Sequence, residues 1–178
     1  YKFMITIPKI QVDAPNSINN TDLADLCNIT EQAINAGGGF GWLKVPPREV
    51  LIKYWQGTLL IPHRRIIVGR LNNVIAGTLQ LIFHPPNNEA QQNIANIMAH
   101  FVTPWARGFG LAKKMIDVAE KKALELGSNI IHLDIRETQE AAIKLFELMG
   151  YTQWGTNPHY AFINGNNLKG HYFFKKLK

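Results

Sequence analysis

The chain has 178 residues, 46% of them hydrophobic, a single cysteine and a formal net charge of +6. That length suits one domain with its own core, residues 1–178, and no apolar run approaches the roughly 20 residues that a membrane-spanning helix needs. One cysteine excludes an intramolecular disulfide, and the basic pairs Arg64-Arg65, Lys113-Lys114 and Lys121-Lys122 are scattered as solvated faces rather than massed for nucleic acid.

In chain order, Lys2 to Val12 alternates as a strand and shows neither the apolar stretch nor the cleavage site of a signal peptide, while the lone cysteine makes a cytoplasmic setting the expectation. Thr21 to Ala36 places Leu23, Leu26, Ile29 and Ala33 on one helical face, with Cys27 as a buried small hydrophobe, and stops at Gly37. Arg48 to Gly57 is a shorter helix after Pro46-Pro47. Strands Arg64 to Gly69 and Val74 to Phe83 flank Asn72-Asn73, a pair that tolerates positive φ, and are predicted to form a hairpin. Asn93 to Val102 is a further strand.

The helix Gly108 to Leu126 has an apolar stripe of Leu111, Met115, Val118, Ala119, Ala123 and Leu126, and ends at Gly127. Ile130 to Ile135 is a strand, and Thr138 is the expected cap of a last helix whose buried face is Ala142, Leu145, Phe146 and Met149. Tyr151 to Ile163 and Leu168 to Leu177, joined by Asn164-Gly165-Asn166-Asn167, close the chain as a second hairpin. The order β-αα-βββ-α-β-α-ββ has two tight turns, so its strands cannot all be parallel. The fold class is α/β: a mixed, mostly antiparallel sheet with helices on both faces.

The segment Arg107-Gly108-Phe109-Gly110-Leu111-Ala112 joins a strand to the amphipathic helix. Its two glycines permit a tight turn, and the amides of the first helical turn lack intrahelical partners. Together with the positive end of the helix dipole, such amides suit a phosphate or pyrophosphate. The pattern matches neither the Walker A sequence nor the dinucleotide-binding G-x-G-x-x-G.

Read as Arg-x-x-Gly-x-Ala after Val102-Thr103-Pro104, this segment resembles motif A of the GNAT superfamily of acyl-CoA-dependent N-acetyltransferases. Arg136 to Tyr151 resembles the family's following segment, with Gln139 at the usual Asn, Phe146 at the usual Tyr and Tyr151 at the usual Phe. The resemblance runs from about Val74 to the C-terminus. It implies acetyl transfer from acetyl-CoA to an amine-bearing acceptor by direct attack in a ternary complex, in a monomer or homodimer without a metal. Gly108, Phe109, Gly110, Leu111 and Ala112 would hold the coenzyme A pyrophosphate and Arg107 would add charge. Backbone groups of His100, Phe101 and Val102 would grip the thioester and pantetheine arm, near Gln139 and Phe146.

A free alkyl amine has a pKa of about 10.4, so a base or water path must remove a proton at neutral pH. His100, placed by strand alternation on one face with Asn96 and Met98, is the preferred base, and exposed Glu89 a weaker one. Phe146 has no titratable proton to give a departing thiolate, which leaves water, Tyr151 or Tyr160. His132 and Asp134 share a strand face and with His100 could suggest a triad or metal site, but no serine or cysteine nucleophile accompanies them at a recognisable spacing and the carboxylate serves as easily to orient a histidine, so they are read as support. The loop Gly37 to Trp42 is either a flap with an aromatic wall or part of the core. Phe146 also motivates an alternative: a regulatory module that binds acyl-CoA without turnover.

Overall fold

The computed structural model describes residues 6–178. Seven strands form one sheet in the order β1-β2-β3-β4-β5-β7-β6. They are β1 (Ile10–Asp13), β2 (Arg64–Leu71), β3 (Val74–Phe83), β4 (Ile94–Val102), β5 (Ile130–Arg136), β6 (Thr152–Ile163) and β7 (Asn166–Lys176). The helices are α1 (Asn20–Asn35), α2 (Arg48–Leu59), α3 (Leu111–Glu125) and α4 (Glu140–Leu148). Every neighbouring pair is antiparallel except β4 with β5.

Two cores follow from the alternation of the strands. Ile66, Val68 and Ile75 face α1 and α2, where they meet Leu26, Ile29, Leu51 and Trp55. Ile67, Leu79, Leu81, Ala95 and Ile97 face the opposite side and pack with Leu111, Met115 and Ala119 of α3 and Phe146 of α4. Among the described residues no helix is long and apolar enough to cross a membrane.

Local sequence explains most boundaries. The Asn19 side chain accepts from the Asp22 amide at 2.8 Å and starts α1, and Asn72 and Asn73 take φ values of 50° and 70° in the β2–β3 turn. Gly69 and Gly77 pair across β2 and β3 beneath α3. A Cβ on Gly69 would come within 2.8 Å of Leu111 and Met115, and one on Gly77 within 3.0 Å of Met115, so the absent side chains let the first turns of α3 settle onto the sheet. That contact fixes where the glycine loop ends.

Four expectations are corrected. The first strand was expected from Lys2; residues 2–5 lie outside the described residues, and of the rest only Ile10–Asp13 pairs in the sheet, since Pro8 offers no amide to a ladder. The cap of α4 is Gln139, not Thr138, and no side chain bonds the helix start. Leu126 falls outside the buried stripe of α3, 46% exposed, because the helix ends at Glu125; Ile116 is buried instead. Arg64 belongs to a cavity wall rather than to a solvated face.

A cleft between parallel strands and the family it identifies

β4 and β5 pair in register only at Ile94–Ile130, Ala95–Ile131 and Asn96–His132. Beyond Asn96 the strands part, and the edge of β4 has no β5 ladder to satisfy it. A cavity of about 860 Å³ opens there. Its walls come from β4 (Asn96 to His100), β5 (Leu133 to Arg136), the α4 cap Gln139 and, within α4, Ala142 and Phe146. The Gly39 to Trp42 loop and the inserted side chains of Tyr54, Arg64 and Tyr160 complete them.

At the end of β4 a short 3-10 turn, Pro104–Ala106, leads into the glycine loop. Gly108 and Gly110 are left-handed, with φ of 86° and 78°, and Gly110 is the N-cap of α3. The first helical amide to find a backbone acceptor is Lys114, bonded to the Gly110 carbonyl at 3.1 Å. Among the described residues the amides of 108 to 113 have no protein partner, and residues 107 to 110 are exposed. A diphosphate fits this cradle, since the amides, the α3 dipole and the space around both glycines are all available to it. Arg107 is tied back by a bond from its Nε to the Val102 carbonyl at 3.3 Å.

The strand face expected for His100 is overturned by a bulge. Thr78 pairs with Phe101 and Gln80 with Met98, so the register slips across residues 99 and 100, and Ala99 adopts φ of 52°. This left-handed residue reverses the alternation: Ala99 and Phe101 both pack on the α1–α2 side, while His100 turns to the α4 side. There its ring meets Phe146 edge-on at 5.4 Å, and its Nε2 is buried without a hydrogen-bond partner. Burial lowers the His100 pKa from 6.5 to about 4.

The tyrosines separate. Tyr151 is buried on the α3 side, where its hydroxyl donates to Glu120 at 3.1 Å and Lys175 pairs with the same carboxylate at 2.7 Å. Burial, then Glu120, holds its phenol above the usual range, and it does not line the cleft. Tyr160 does line it and donates to the Asp134 carboxylate. Burial and that bond raise the Tyr160 phenol. Its position comes from a slip in the β6–β7 ladder, where Asn157 pairs with Gly170 and Ala161 with Leu168, so Pro158, His159 and Tyr160 oppose a single residue, Lys169.

The Gly37 to Trp42 loop is both wall and core. Phe40 is buried and meets Trp42, Tyr54 and Trp55 at 5.9 to 6.3 Å between centroids, while Trp42 faces the cavity. Arg136 donates to the carbonyls of Gly37 and Phe40 at 3.3 and 3.2 Å, and Gln139 donates to Gly37 at 3.2 Å. Glu89 sits in an exposed 3-10 turn away from the cavity. In the sequence Arg64 reads as a surface charge and Asp134 as a supporting residue. Pro158 and Gly170, both unusual inside strands, were the available signals for the Tyr160 bulge.

The sequence profile of the Acetyltransferase (GNAT) family matches residues 27–151. The chain is 44% identical over 130 residues to an uncharacterized N-acetyltransferase in the hisH-hisA intergenic region of Azospirillum brasilense, an alignment covering 73% of this chain and 77% of that one. Among solved structures, an N-acetyltransferase from Staphylococcus aureus Mu50 superposes with a TM-score of 0.80 at 20% identity, covering 96% of this chain and 99% of that one. A Salmonella typhimurium structure described with its cofactor acetyl-CoA superposes at 0.77 and 16% identity, covering 95% and 94%. With a mixed sheet parted between β4 and β5 and the profile spanning the glycine loop and the β4, β5 and α4 walls of the cleft, the chain belongs to the GNAT family of N-acetyltransferases.

Proposed function

We propose that this chain moves an acetyl group from acetyl-CoA to an amine by direct attack in a ternary complex. The observation that carries this reading is the parted β4–β5 edge, which leads from unpartnered amides at residues 108 to 113 to a cavity bearing a carboxylate. The loop amides hold the diphosphate, with Arg107 beside them. Backbone groups of His100, Phe101 and Val102 lie along the open edge and hold the pantetheine arm, next to Gln139 and Phe146. Acetyl-CoA supplies the activated acetyl carbon.

Asp134 takes the proton that the acceptor nitrogen must lose, directly or through water, and Tyr160 holds that carboxylate in place. His100 is a weak base turned toward Phe146, so its ring packs while its main chain binds. As the nitrogen–carbon bond forms and the carbon–sulfur bond breaks, the leaving thiolate, whose thiol has a pKa of about 8.5, needs little help. Water or Tyr160 can return its proton; Tyr151 is committed to Glu120 outside the cleft.

Release of free thiol from acetyl-CoA, corrected for hydrolysis and measured over a panel of primary amines, tests the reading. Amine-dependent release with an N-acetylated product is expected. Coenzyme binding with no amine-dependent signal would favour the regulatory module that Phe146 suggests.

A further inference from the structure

We infer that the acceptor carries a carboxylate close to its reactive amine, as an α-amino acid with an apolar side chain does; this rests on the acetyl-transfer reading above. Arg64 enters the cavity wall from the start of β2. Its Nη1 donates to the Gln80 side chain at 2.7 Å, and Gln80 in turn donates to the Tyr54 hydroxyl at 2.7 Å. Gln80 is wholly buried, so this chain fixes the guanidinium. The Arg64 Nε is buried without a partner, and among the described residues no carboxylate pairs with this arginine. The described residues therefore supply it no counter-ion. With Nη1 held by Gln80 and Nε shut from solvent, Nη2 is left without a protein partner among the described residues, and a cation so placed in a partly desolvated wall matches a carboxylate from outside.

Register places this cation beside the chemistry. Gln80 pairs directly with Met98 of β4, just before the bulge at Ala99. The side chain that holds the guanidinium thus belongs to the strand directly beside β4. On the other side of the gap, Asp134 stands two residues beyond the last β4–β5 pair, as Met98 does on its own strand. The cleft therefore has a cation on one flank and a carboxylate on the other. The remaining cleft arginine, Arg136, is occupied by the Gly37 and Phe40 carbonyls. A zwitterion whose ammonium and carboxylate are two bonds apart would lie across the strand edge, carboxylate on Arg64 and nitrogen toward Asp134. Trp42, Tyr54, Ile82 and Met98 offer its side chain an apolar wall.

The experiment compares each amino acid with its decarboxylated partner: phenylalanine with 2-phenylethylamine, methionine with 3-(methylthio)propylamine. The expected wild-type preference in kcat/KM is about 10- to 100-fold for the acid, the range for a hydrogen-bonded charge pair. In Arg64→Gln that ratio should fall toward one, and in Arg64→Lys it should be intermediate, because the charge remains while the planar guanidinium that Gln80 holds is lost. Calorimetry with coenzyme A checks that each variant is folded. Turnover of the amines as well as or better than the acids by wild type overturns the inference and leaves acetyl transfer standing. If no amine is turned over, thermal stabilisation of the coenzyme A complex by phenylalanine, lost in Arg64→Gln, supports the carboxylate site while overturning the catalytic reading. Absence of both overturns the inference.

Discussion

The ring of Tyr160 occupies the space in which a side chain at residue 170 would begin: a Cβ on Gly170 would overlap Cγ and Cδ2 of the tyrosine. The glycine is not in a left-handed conformation, so its requirement is one of room. Gly170→Ala should therefore displace Tyr160 from Asp134 without touching the coenzyme loop. We expect turnover to fall about 10- to 100-fold, in parallel with Tyr160→Phe, and Asp134→Asn to fall further, toward the 10² to 10⁴ typical of a lost proton acceptor. Steady-state kinetics beside calorimetric coenzyme A binding check this, and a Gly170→Ala enzyme with wild-type kcat would separate Tyr160 from the chemistry.

The glycine loop offers a second prediction. Gly108 and Gly110 have positive φ and open space where a Cβ would stand, so alanine there meets no neighbour and strains only the backbone. Each substitution should cost about 0.5–1 kcal/mol, the left-handed strain less the unfolded-chain entropy that alanine removes. If the loop relaxes to escape that strain, its amides no longer converge, and coenzyme A affinity should drop about tenfold, by roughly 1.4 kcal/mol. Gly127, at φ of 92° past the end of α3 and equally open, is the internal control. Gly127→Ala should lose similar stability in urea titration and keep its coenzyme affinity.

What could be read in the sequence was what neighbouring residues decide among themselves. The glycine loop, the Asn72-Asn73 hairpin and the stripe of α3 each depend on a few adjacent positions, and each stands close to where it was expected. The cleft chemistry depends on pairings made at a distance. Arg64 looked like surface because Gln80, which buries its head, lies 16 residues away, and the Tyr160–Asp134 bond spans 26 residues and a slipped ladder. The face of His100 could not be read because the bulge falls on an alanine, a residue that carries no mark of a left-handed conformation.

That alanine yields a third prediction. A left-handed Ala99 costs about 1–2 kcal/mol relative to glycine, partly offset by the roughly 0.4–1 kcal/mol that glycine adds in unfolded-chain entropy. Ala99→Gly should stabilise the fold by about 0.5–1 kcal/mol, and Ala99→Val should destabilise it because a β-branched residue resists positive φ. Chemical denaturation ranks the three. A stability order of valine above alanine would mean the bulge is not left-handed in solution.

The half-buried His100, whose Nε2 is shut from solvent, gives the pH dependence a sign. Its folded pKa of about 4 lies below the unfolded value of 6.5, so between these limits the unfolded chain binds a proton that the folded protein excludes. The contribution of the neutral, packed ring is complete above about pH 6.5 and is lost progressively as pH falls toward 4; at its fullest it is on the order of 3 kcal/mol. Carboxylates add their own acid sensitivity, notably Asp22, whose pairing with Arg70 at 2.7 Å lowers its pKa and whose contribution is lost only below the usual carboxylate value of 3.8. The difference between wild type and His100→Leu isolates the histidine. Urea unfolding at pH 7.5, 6 and 5 should show wild type losing stability faster than the variant across this range, and parallel curves would mean that the imidazole charges freely in the folded protein.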